Sequence, residues 1–369
     1  PRKIYQHILG TNIDDDNLSS RYKDLNHEQF IAATWKGGNV LVLAGAGCGK
    51  TKTIISRAQY LIEEELSPRQ IQILTFTRKS SAEIVERVKS KLGKRAEGLR
   101  ASTFHTWCMS LIRRAPKLFG CKGFTVIDRD DQKIIFSFVR SALKESKDPR
   151  VPKPNELCEI YSYARNVGAT LREALEKKSP NSLELFDVIA EIVTSYESRK
   201  EDQKYLDYDD ILDVVARQIE KDSEVRDWIC SNYSELLVDE FQDTNPLQWK
   251  LLKPLIKTTR IFCVGDDAQS IYGFRGADFQ NVHSFKEKVA DSSILKLSLN
   301  YRSTQEILDL SNWLLSNSSL NYGKSLKANR GKGIKPHIHS FANEWLEASW
   351  IANNLQEMHS EGYEWKDNM

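Results

Sequence analysis

The sequence contains no continuous apolar run of about 18 residues, the length that a membrane-spanning helix requires. Its first 25 residues are polar and lack the apolar core of a secretory signal. The six cysteines are scattered, with no C-x-x-C pair and no histidine cluster beside them, which argues against a zinc site and favours reduced thiols. Basic residues exceed acidic ones by only two (53 against 51), so any surface that binds nucleic acid must be a local patch.

What is present is the composition of an ordinary globular protein of 369 residues, with 40% hydrophobic and 28% charged residues. This length suffices for two or three domains, each with its own apolar core. Short apolar runs alternate with helical patterns over the first hundred residues. Strands are predicted at 40–44, 71–75 and 101–104, with helices at 50–64 and 79–92 between them. Such alternation is typical of an α/β fold in which helices cover the faces of a parallel sheet.

The middle of the chain, from about residue 107 to 229, has a different pattern. Helical periodicity dominates there, as at 131–143 and 182–196. Strand-like runs return after this segment, at 236–238, 261–264 and 294–297. The sequence therefore predicts an α/β domain in two parts, a helical domain inserted between them and the start of a further domain, with limits at 1–108, 109–204, 205–295 and 296–369.

Eight residues between the first predicted strand and the helix after it have the composition of a phosphate-binding loop, Ala44-Gly45-Ala46-Gly47-Cys48-Gly49-Lys50-Thr51. Small residues let backbone N–H groups close around phosphate oxygens, and the following helix adds a favourable dipole. Lys50 is expected to reach the β- and γ-phosphates of ATP, and the Thr51 hydroxyl to bind Mg²⁺. Ala44 replaces the usual first glycine, which is tolerated where no positive φ is needed. A chance Gly-rich turn is the alternative for the loop, and a redox-sensing thiol is the alternative for Cys48.

A second acidic motif distinguishes a hydrolase from a kinase. Leu236-Leu237-Val238-Asp239-Glu240 is an apolar strand that ends in two carboxylates. Asp239 is placed to hold Mg²⁺, and Glu240 can orient and deprotonate an attacking water, which a kinase does not need. Two solvated acids at a strand end are the alternative, and the phosphate-binding loop upstream disfavours it.

A longer segment, Asp239-Glu240-Phe241-Gln242-Asp243-Thr244-Asn245, resembles the DExQDT/N signature of superfamily 1 DNA helicases of the UvrD/Rep/PcrA group. Five further segments resemble motifs of that family and occur in its order: 25–29 (the Q motif), 75–84 (motif Ia), 102–106 (motif Ib), 264–277 (motif III) and 299–303 (motif IV). The resemblance implies a RecA-like P-loop NTPase domain, interrupted by the helical insert and followed by the beginning of a second RecA-like domain.

The resemblance also implies roles for residues of these segments. Gln29 would read the adenine edge, and Tyr301 would stack on adenine. Gln269 would sense the γ-phosphate and link it to the DNA track. Arg302 would act as an arginine finger from the second motor domain, since charge spreads over the equatorial oxygens during phosphoryl transfer. The implied catalytic set consists of Lys50, Glu240, Gln269 and Arg302.

The implied DNA contacts are ring-bearing and basic side chains inside the motifs: Phe76, Arg78, His105, Tyr272, Phe274 and Arg275. Such rings give bases a sequence-tolerant stacking platform, worth about 1–3 kcal/mol per base. An ordinary packed aromatic is the alternative for Phe76, Tyr272 and Phe274. Many relatives have Trp where this sequence has Phe274, a change that preserves stacking. A basic cluster at 324–335 is interpreted as a solvated loop, with contact to a DNA backbone as the alternative.

Two segments of the predicted insert and its exit also resemble family elements. Residues 205–212 resemble the LDFDDLL segment, whose acids are expected to cap and position a helix rather than catalyse. Tyr163-Ala164-Arg165-Asn166 resembles a minor element, for which only a DNA-backbone contact is expected.

The activity implied by the resemblance is ATP-driven 3′-to-5′ movement on single-stranded DNA, with duplex junctions as partners and no membrane. Two alternatives stay open: a nucleotide-dependent single-strand binding module without its own catalysis, and an RNA motor of the same superfamily. The family's later motifs do not occur before Met369, so an N-terminal portion with weak turnover is expected. The expected location is cytoplasmic, at the nucleoid if the source is bacterial.

Overall fold

The computed structural model describes residues 21–144, 148–270, 273, 280–317 and 325–367. Its strands are β1 (Val40–Ala44), β2 (Ile71–Thr75), β3 (Arg100–Thr103), β4 (Thr125–Val126), β5 (Tyr205–Leu206), β6 (Glu235–Val238), β7 (Arg260–Gly265), β8 (Ser293–Leu297), β9 (Leu299–Asn300) and β10 (Lys327–Ala328). Its helices are α1 (His27–Ala33), α2 (Lys50–Glu63), α3 (Arg78–Leu92), α4 (Phe104–Arg114), α5 (Arg129–Ala142), α6 (Pro154–Val167), α7 (Leu171–Lys178), α8 (Phe186–Gln203), α9 (Tyr208–Lys221), α10 (Ser223–Asn232), α11 (Pro246–Leu252), α12 (Gln280–His283), α13 (Phe285–Lys288), α14 (Gln305–Ser316) and α15 (Glu344–Ser360).

A six-stranded parallel sheet in the order β3-β2-β6-β7-β1-β8 organises the larger part of the molecule. Strand β1 is apolar and buried along its whole length. Leu41 and Leu43 pack into one core cluster, and Val40, Val42 and Ala44 pack into the other. A strand covered on both faces needs apolar side chains at both alternating positions, which is why the sequence reads as a continuous apolar run. The predicted α/β fold with a parallel sheet is confirmed.

The order of the strands brings the predicted motifs together. β1 lies beside β7, and β7 lies beside β6. In a parallel sheet the carboxyl ends of neighbouring strands meet at one edge, where ligands bind. The loops that follow these three strands carry the phosphate-binding loop, the paired acids and motif III, so the fold places all three at that edge.

The helices α5 to α8 have a core of their own, separate from the two clusters on the sheet. Within it the rings of Phe136 and Tyr196 are stacked with centroids 4.0 Å apart. The chain enters this helical unit through β4 and leaves it through β5, and these two short strands pair in parallel. Helix α4, which the predicted limit at 108 divides, packs on the sheet through Trp107 and Leu111. The exact domain limits stay predictions.

The acidic segment before α9 caps that helix, as predicted from residues 205–212. Asp207 accepts a hydrogen bond from the backbone N–H of Asp210 at 2.9 Å, and the Asp210 carboxylate accepts one from Asp207 N at 3.0 Å. The Nζ of Lys200, only 2% exposed, lies 2.8 Å from Asp207 Oδ2 and 2.7 Å from Asp210 Oδ2. Arg165, from the minor element, lies 3.0 Å from the carboxylates of both Asp210 and Asp213. These ion pairs fasten α6 and α8 to α9.

Within the ranges given above, the structure contains no helix whose length and apolarity would let it cross a membrane.

Candidate nucleotide and nucleic-acid site

The loop between β1 and α2 turns through two glycines whose φ angles, 77° at Gly47 and 85° at Gly49, other residues rarely adopt. Space is also restricted there. A Cβ at Gly49 would come within 2.5 Å of Gln29 Nε2, and one at Gly47 within 2.6 Å of the Cβ of Arg302. The buried Gln29 side chain donates a hydrogen bond to Cys48 O at 3.0 Å. Gln29 of the Q motif therefore packs against the loop and stabilises its conformation.

The remaining loop residues complete a tight cradle. Ala44 is the last residue of β1, fully buried and without a positive φ, which accounts for the tolerance of alanine there. A Cβ at Gly45 would come within 2.8 Å of the Leu326 side chain. The carbonyl oxygen of Ala46 accepts a hydrogen bond from the Asn300 side chain. Thr51 lies half-buried in the first turn of α2.

Three loops converge on the amino group of Lys50. Its Nζ lies 2.8 Å from Glu240 Oε2, at the end of β6. It also donates a hydrogen bond to Gln269 Oε1, after β7, at 3.3 Å. Glu240 has a φ of 49°, in the left-handed region that non-glycine residues seldom occupy and that is often found at functional sites. Residues separated by up to 219 positions in the sequence thus meet at one point.

The carboxylates around Glu240 carry an excess of negative charge. Burial, and then repulsion from Glu240, raise the pKa of Asp239 to about 7. The same two causes raise the pKa of Asp243 to about 6. The buried Asp243 Oδ1 has no hydrogen-bond partner among the described atoms. A divalent cation here would supply the missing positive charge, so the residues fit one.

The chemistry of the donors also fits Mg²⁺. No group of three or more His, Cys, Asp and Glu side chains in the described part of the chain could cage a metal ion. Mg²⁺ is commonly bound through one or two carboxylates together with substrate phosphates and waters, rather than by an all-protein cage. Asp239 and Thr51 offer such a partial set of oxygen ligands.

Gln242 lies at the centre of this arrangement, although it was not among the predicted site residues. Its Nε2 donates hydrogen bonds to Glu240 Oε2 at 2.8 Å and to Asp243 Oδ2 at 3.3 Å. Its Oε1 accepts a hydrogen bond from Asp266 N at 2.9 Å. Gln242 therefore fixes Glu240 relative to the loop after β7. The signal was available, because Gln242 is the glutamine of the DExQDT/N signature.

Asn300 attaches motif IV to the phosphate-binding loop, and it too was not singled out. Its Nδ2 donates a hydrogen bond to Ala46 O at 2.5 Å. Its Oδ1 accepts hydrogen bonds from Arg302 N at 2.8 Å and Ser303 N at 2.7 Å. The Arg302 side chain is exposed, with its Cβ close to Gly47.

Tyr301 contacts both the loop and the residue that caps the helix of Gln29. Its backbone N–H donates to Gly47 O at 2.9 Å, and its hydroxyl accepts a hydrogen bond from Asn26 Nδ2 at 2.9 Å. Asn26 is the N-cap of α1 and forms a capping box with Gln29. The two residues predicted to contact adenine are thereby linked through Asn26.

Two of the predicted DNA contacts line one cleft of about 690 Å³ between the sheet and the helical unit, the Phe76 cleft. Phe76 and His105 come from the sheet side, and Asn166 and Lys178 from the helical side. Burial lowers the pKa of His105, against the opposing effect of Asp209. Arg78, which is exposed, lines a neighbouring groove. Tyr272, Phe274 and Arg275 lie outside the described residues.

Family models and relatives agree with this geometry. Residues 25–290 match the UvrD/REP helicase N-terminal domain, and residues 295–368 match the UvrD-like helicase C-terminal domain. The chain is 33% identical over 354 residues to the ATP-dependent DNA helicase PcrA of Staphylococcus aureus (strain Mu50), covering 95% of this chain and 48% of the relative. It is 33% identical over 342 residues to the Bacillus subtilis (strain 168) protein of the same name, covering 92% and 46% respectively. The chain thus spans about half the length of these relatives. It belongs to the UvrD/REP helicase family.

Proposed function

We propose that this protein is an ATP-dependent DNA helicase that hydrolyses ATP to move 3′-to-5′ on single-stranded DNA. The observation that carries the proposal is the convergence on Lys50 Nζ of Glu240 Oε2 at 2.8 Å and Gln269 Oε1 at 3.3 Å. This contact joins a phosphate-binding lysine to a carboxylate and to a side chain on the loop after β7. The relatives are ATP-dependent DNA helicases by name, which supports the same activity.

The chain's own side chains have distinct tasks in hydrolysis. Lys50 binds the β- and γ-phosphates once its amino group leaves Glu240. Glu240 Oε2 then accepts the proton of the attacking water, and Gln242 holds that carboxylate in place through its 2.8 Å hydrogen bond. Arg302 offsets charge on the equatorial oxygens. Thr51 and Asp239 would hold Mg²⁺, which would supply positive charge to neutralise and orient the phosphates.

The adenine end of the nucleotide is assigned to Gln29 and Tyr301. Gln29 is fixed by its hydrogen bonds to the loop and to the N-cap of α1. Tyr301 is 38% exposed, so the residue has accessible surface for stacking on the adenine.

Coupling to DNA is assigned to the bonds between the loops after β6 and β7. Gln269 contacts Lys50, and Gln242 bonds the backbone of Asp266 three residues before Gln269. When the γ-phosphate is bound or released, the contacts of Lys50 change, and Gln269 transmits that change to motif III. Tyr272, Phe274 and Arg275 of that motif are proposed to contact the DNA strand. Phe76, Arg78 and His105 supply the remaining contacts. Binding to junctions between single-stranded and duplex DNA is part of the same proposal. So is a location in the cytoplasm, where such DNA would be found.

The proposal is tested by measuring ATP hydrolysis by the purified chain with and without oligodeoxythymidylate. We expect the rate to rise when the strand is added, and less with an oligouridylate of equal length. Greater stimulation by the oligouridylate than by the DNA strand would favour an RNA motor, which can recognise the 2′-OH that DNA lacks. Nucleotide-dependent binding of the strand without any hydrolysis would favour the binding module and contradict the proposal.

Direction is measured separately, by release of streptavidin from strands with biotin at one end. Movement 3′-to-5′ releases streptavidin from 5′-biotin strands in an ATP-dependent way. Release from 3′-biotin strands alone would contradict the assigned direction.

A further inference from the structure

A second concave surface follows the open side of the sheet, and we call it the edge groove. Strand β3 is the outermost strand of the sheet and pairs with β2 alone among the described strands. The groove beside it has a volume of about 1230 Å³ and is lined by residues of α3, β3 and α4 and by Tyr208 at the start of α9. Its lining includes four cations and one carboxylate: Arg78, Lys89, Arg100, Arg113 and Glu86.

The four cations of the edge groove form no ion pairs within the part of the chain that the structure describes. Arg78, Lys89, Arg100 and Arg113 are all exposed, and none forms an ion pair with another described residue. By contrast, Arg87, which lies on α3 with Arg78 and Lys89, forms an ion pair with Glu83. In a chain with a net charge of only +2, four unpaired cations around one groove form a local positive patch. Such a patch attracts a polyanion.

The floor of the groove has a different character from its rim. Val85, Leu99 and Met109 line it, and they present apolar surface between the cations. A single strand offers phosphates to the cations and exposed sugars and bases to the apolar floor. A duplex keeps its bases stacked inside and presents mainly phosphate and sugar to such a surface. The combination therefore fits single-stranded nucleic acid better than a duplex.

The edge groove is continuous with the Phe76 cleft. Thr103, His105 and Tyr208 line both. The rings of His105 and Tyr208 meet edge to face, with centroids 6.3 Å apart, at the junction. A strand that occupies the Phe76 cleft can therefore pass these two rings into the groove without leaving the surface.

We propose that single-stranded DNA bound in the Phe76 cleft continues past His105 into the edge groove, where Arg100 and Arg113 bind its phosphates. The inference rests on the proposed function and extends it to a binding site outside the motif segments. Arg100 precedes the motif Ib segment at 102–106, and Arg113 follows it. The chemical class of the ligand is the phosphodiester backbone of a single strand.

The test measures binding of fluorescent oligodeoxythymidylates of about 8 and 16 nucleotides by anisotropy, spanning the range of ~4–16 nucleotides common for single-strand sites. The intact chain is compared with the double variant Arg100→Glu/Arg113→Glu. The matched control is Lys117→Glu/Lys122→Glu, which makes the same charge change at exposed lysines that do not line the groove. Arg100→Lys/Arg113→Lys preserves the charge and serves as the conservative variant. Thermal unfolding verifies that each variant is folded.

We expect the intact chain to bind the longer strand more tightly than the shorter one. The charge reversal should remove this gain while leaving the shorter strand bound. It should also make the slope of log affinity against log salt less steep by about 1.4, since each phosphate contact on a single strand contributes about 0.7. The lysine-to-glutamate control and the arginine-to-lysine variant should retain both the gain and the slope.

Three results would overturn the inference. The first is an unchanged length gain and salt slope after the charge reversal. The second is an equal loss in the lysine-to-glutamate control, which would indicate general electrostatics. The third is tighter, groove-dependent binding of a fluorescent polyglutamate than of the longer strand, which would assign the groove to an acidic peptide. Failure of the intact chain to bind even the shorter strand would instead overturn the proposed function, and the inference with it.

Discussion

Glu240 shows how much a single residue contributes to the site. It stands at the end of a buried strand, in a left-handed backbone conformation that directs its carboxylate towards Lys50. Gln242 holds the same oxygen from the other side. The carboxylate is 35% exposed, so water can reach it. These features suit a general base better than a purely structural ion pair.

Replacing Glu240 by Gln should separate binding from hydrolysis. The amide keeps the shape of the side chain but cannot accept the proton of the attacking water. We expect nucleotide affinity to be retained and the hydrolysis rate to fall by about 10²- to 10⁴-fold, the usual contribution of a general base. Phosphate release and binding of a fluorescent nucleotide measure the two quantities. Glu64→Gln, an exposed residue at the end of α2, is the control. Full turnover in Glu240→Gln would refute the assignment.

His105 contributes a pH dependence with a defined sign. Burial lowers its pKa in the folded state below the usual value of about 6.5. As the pH falls below 6.5 the unfolded chain therefore takes up a proton before the folded one does, and the free energy of unfolding decreases. We expect this decrease to be smaller in His105→Gln, with the two proteins differing least above pH 7. Urea unfolding at pH 5.5 and 7.5 tests this, and parallel profiles for the two proteins would rule out the effect.

At the scale of elements, the apolar and helical patterns predicted most of the sheet and its helices. The runs at 40–44 and 71–75 became β1 and β2 with the same limits. The helix predicted at 182–196 instead begins at Phe186 and ends at Gln203, because residues 180–185 form a 3₁₀ turn. Helical periodicity does not distinguish a 3₁₀ turn from the first turn of an α-helix over so short a stretch.

The buried ion cluster that joins α8 to α9 was not predicted as a unit. Only the capping role of the acidic segment at 205–212 followed from its sequence. Lys200 lies in an ordinary helical pattern, and nothing local indicates that its amino group is buried against Asp207 and Asp210. Contacts of this kind depend on how two helices pack.

Removing the charge of Lys200 should therefore be costly. In Lys200→Met, Asp207 and Asp210 would remain buried without their main counter-charge. We expect a loss of about 3–5 kcal/mol in the free energy of unfolding, typical for removing one partner of a buried pair. Urea unfolding measures it, with Lys177→Met, an exposed residue in the last turn of α7, as the control. A loss no larger than the control's would show that the cluster contributes little.

At the scale of the whole molecule, segments far apart in the sequence enclose the phosphate-binding loop from two sides. Glu28 of α1 accepts hydrogen bonds from Ser298 N at 2.7 Å and Ser298 Oγ at 2.6 Å, across 270 residues of sequence. Asn300 and Tyr301 bond the loop itself. The motif order predicted that these segments belong to one site, but the contacts of Glu28, Asn26 and Asn300 required the folded chain, since their partners are set by tertiary packing.

The central claim is that the loop ending at Lys50 and Thr51, together with the acids at 239 and 240, forms one nucleotide site. The most direct measurement is the affinity of a fluorescent, non-hydrolysable ATP analogue with Mg²⁺ for the intact chain, for Lys50→Ala and for Lys52→Ala. Lys52 is two residues away, and its amino group contacts the carboxylate and the backbone carbonyl of Asp24 at the surface, so it is the matched control. We expect Lys50→Ala to weaken binding by roughly tenfold to a hundredfold, the value of a charge-assisted interaction, and Lys52→Ala to leave it unchanged. Equal affinity in the intact chain and Lys50→Ala would contradict the account.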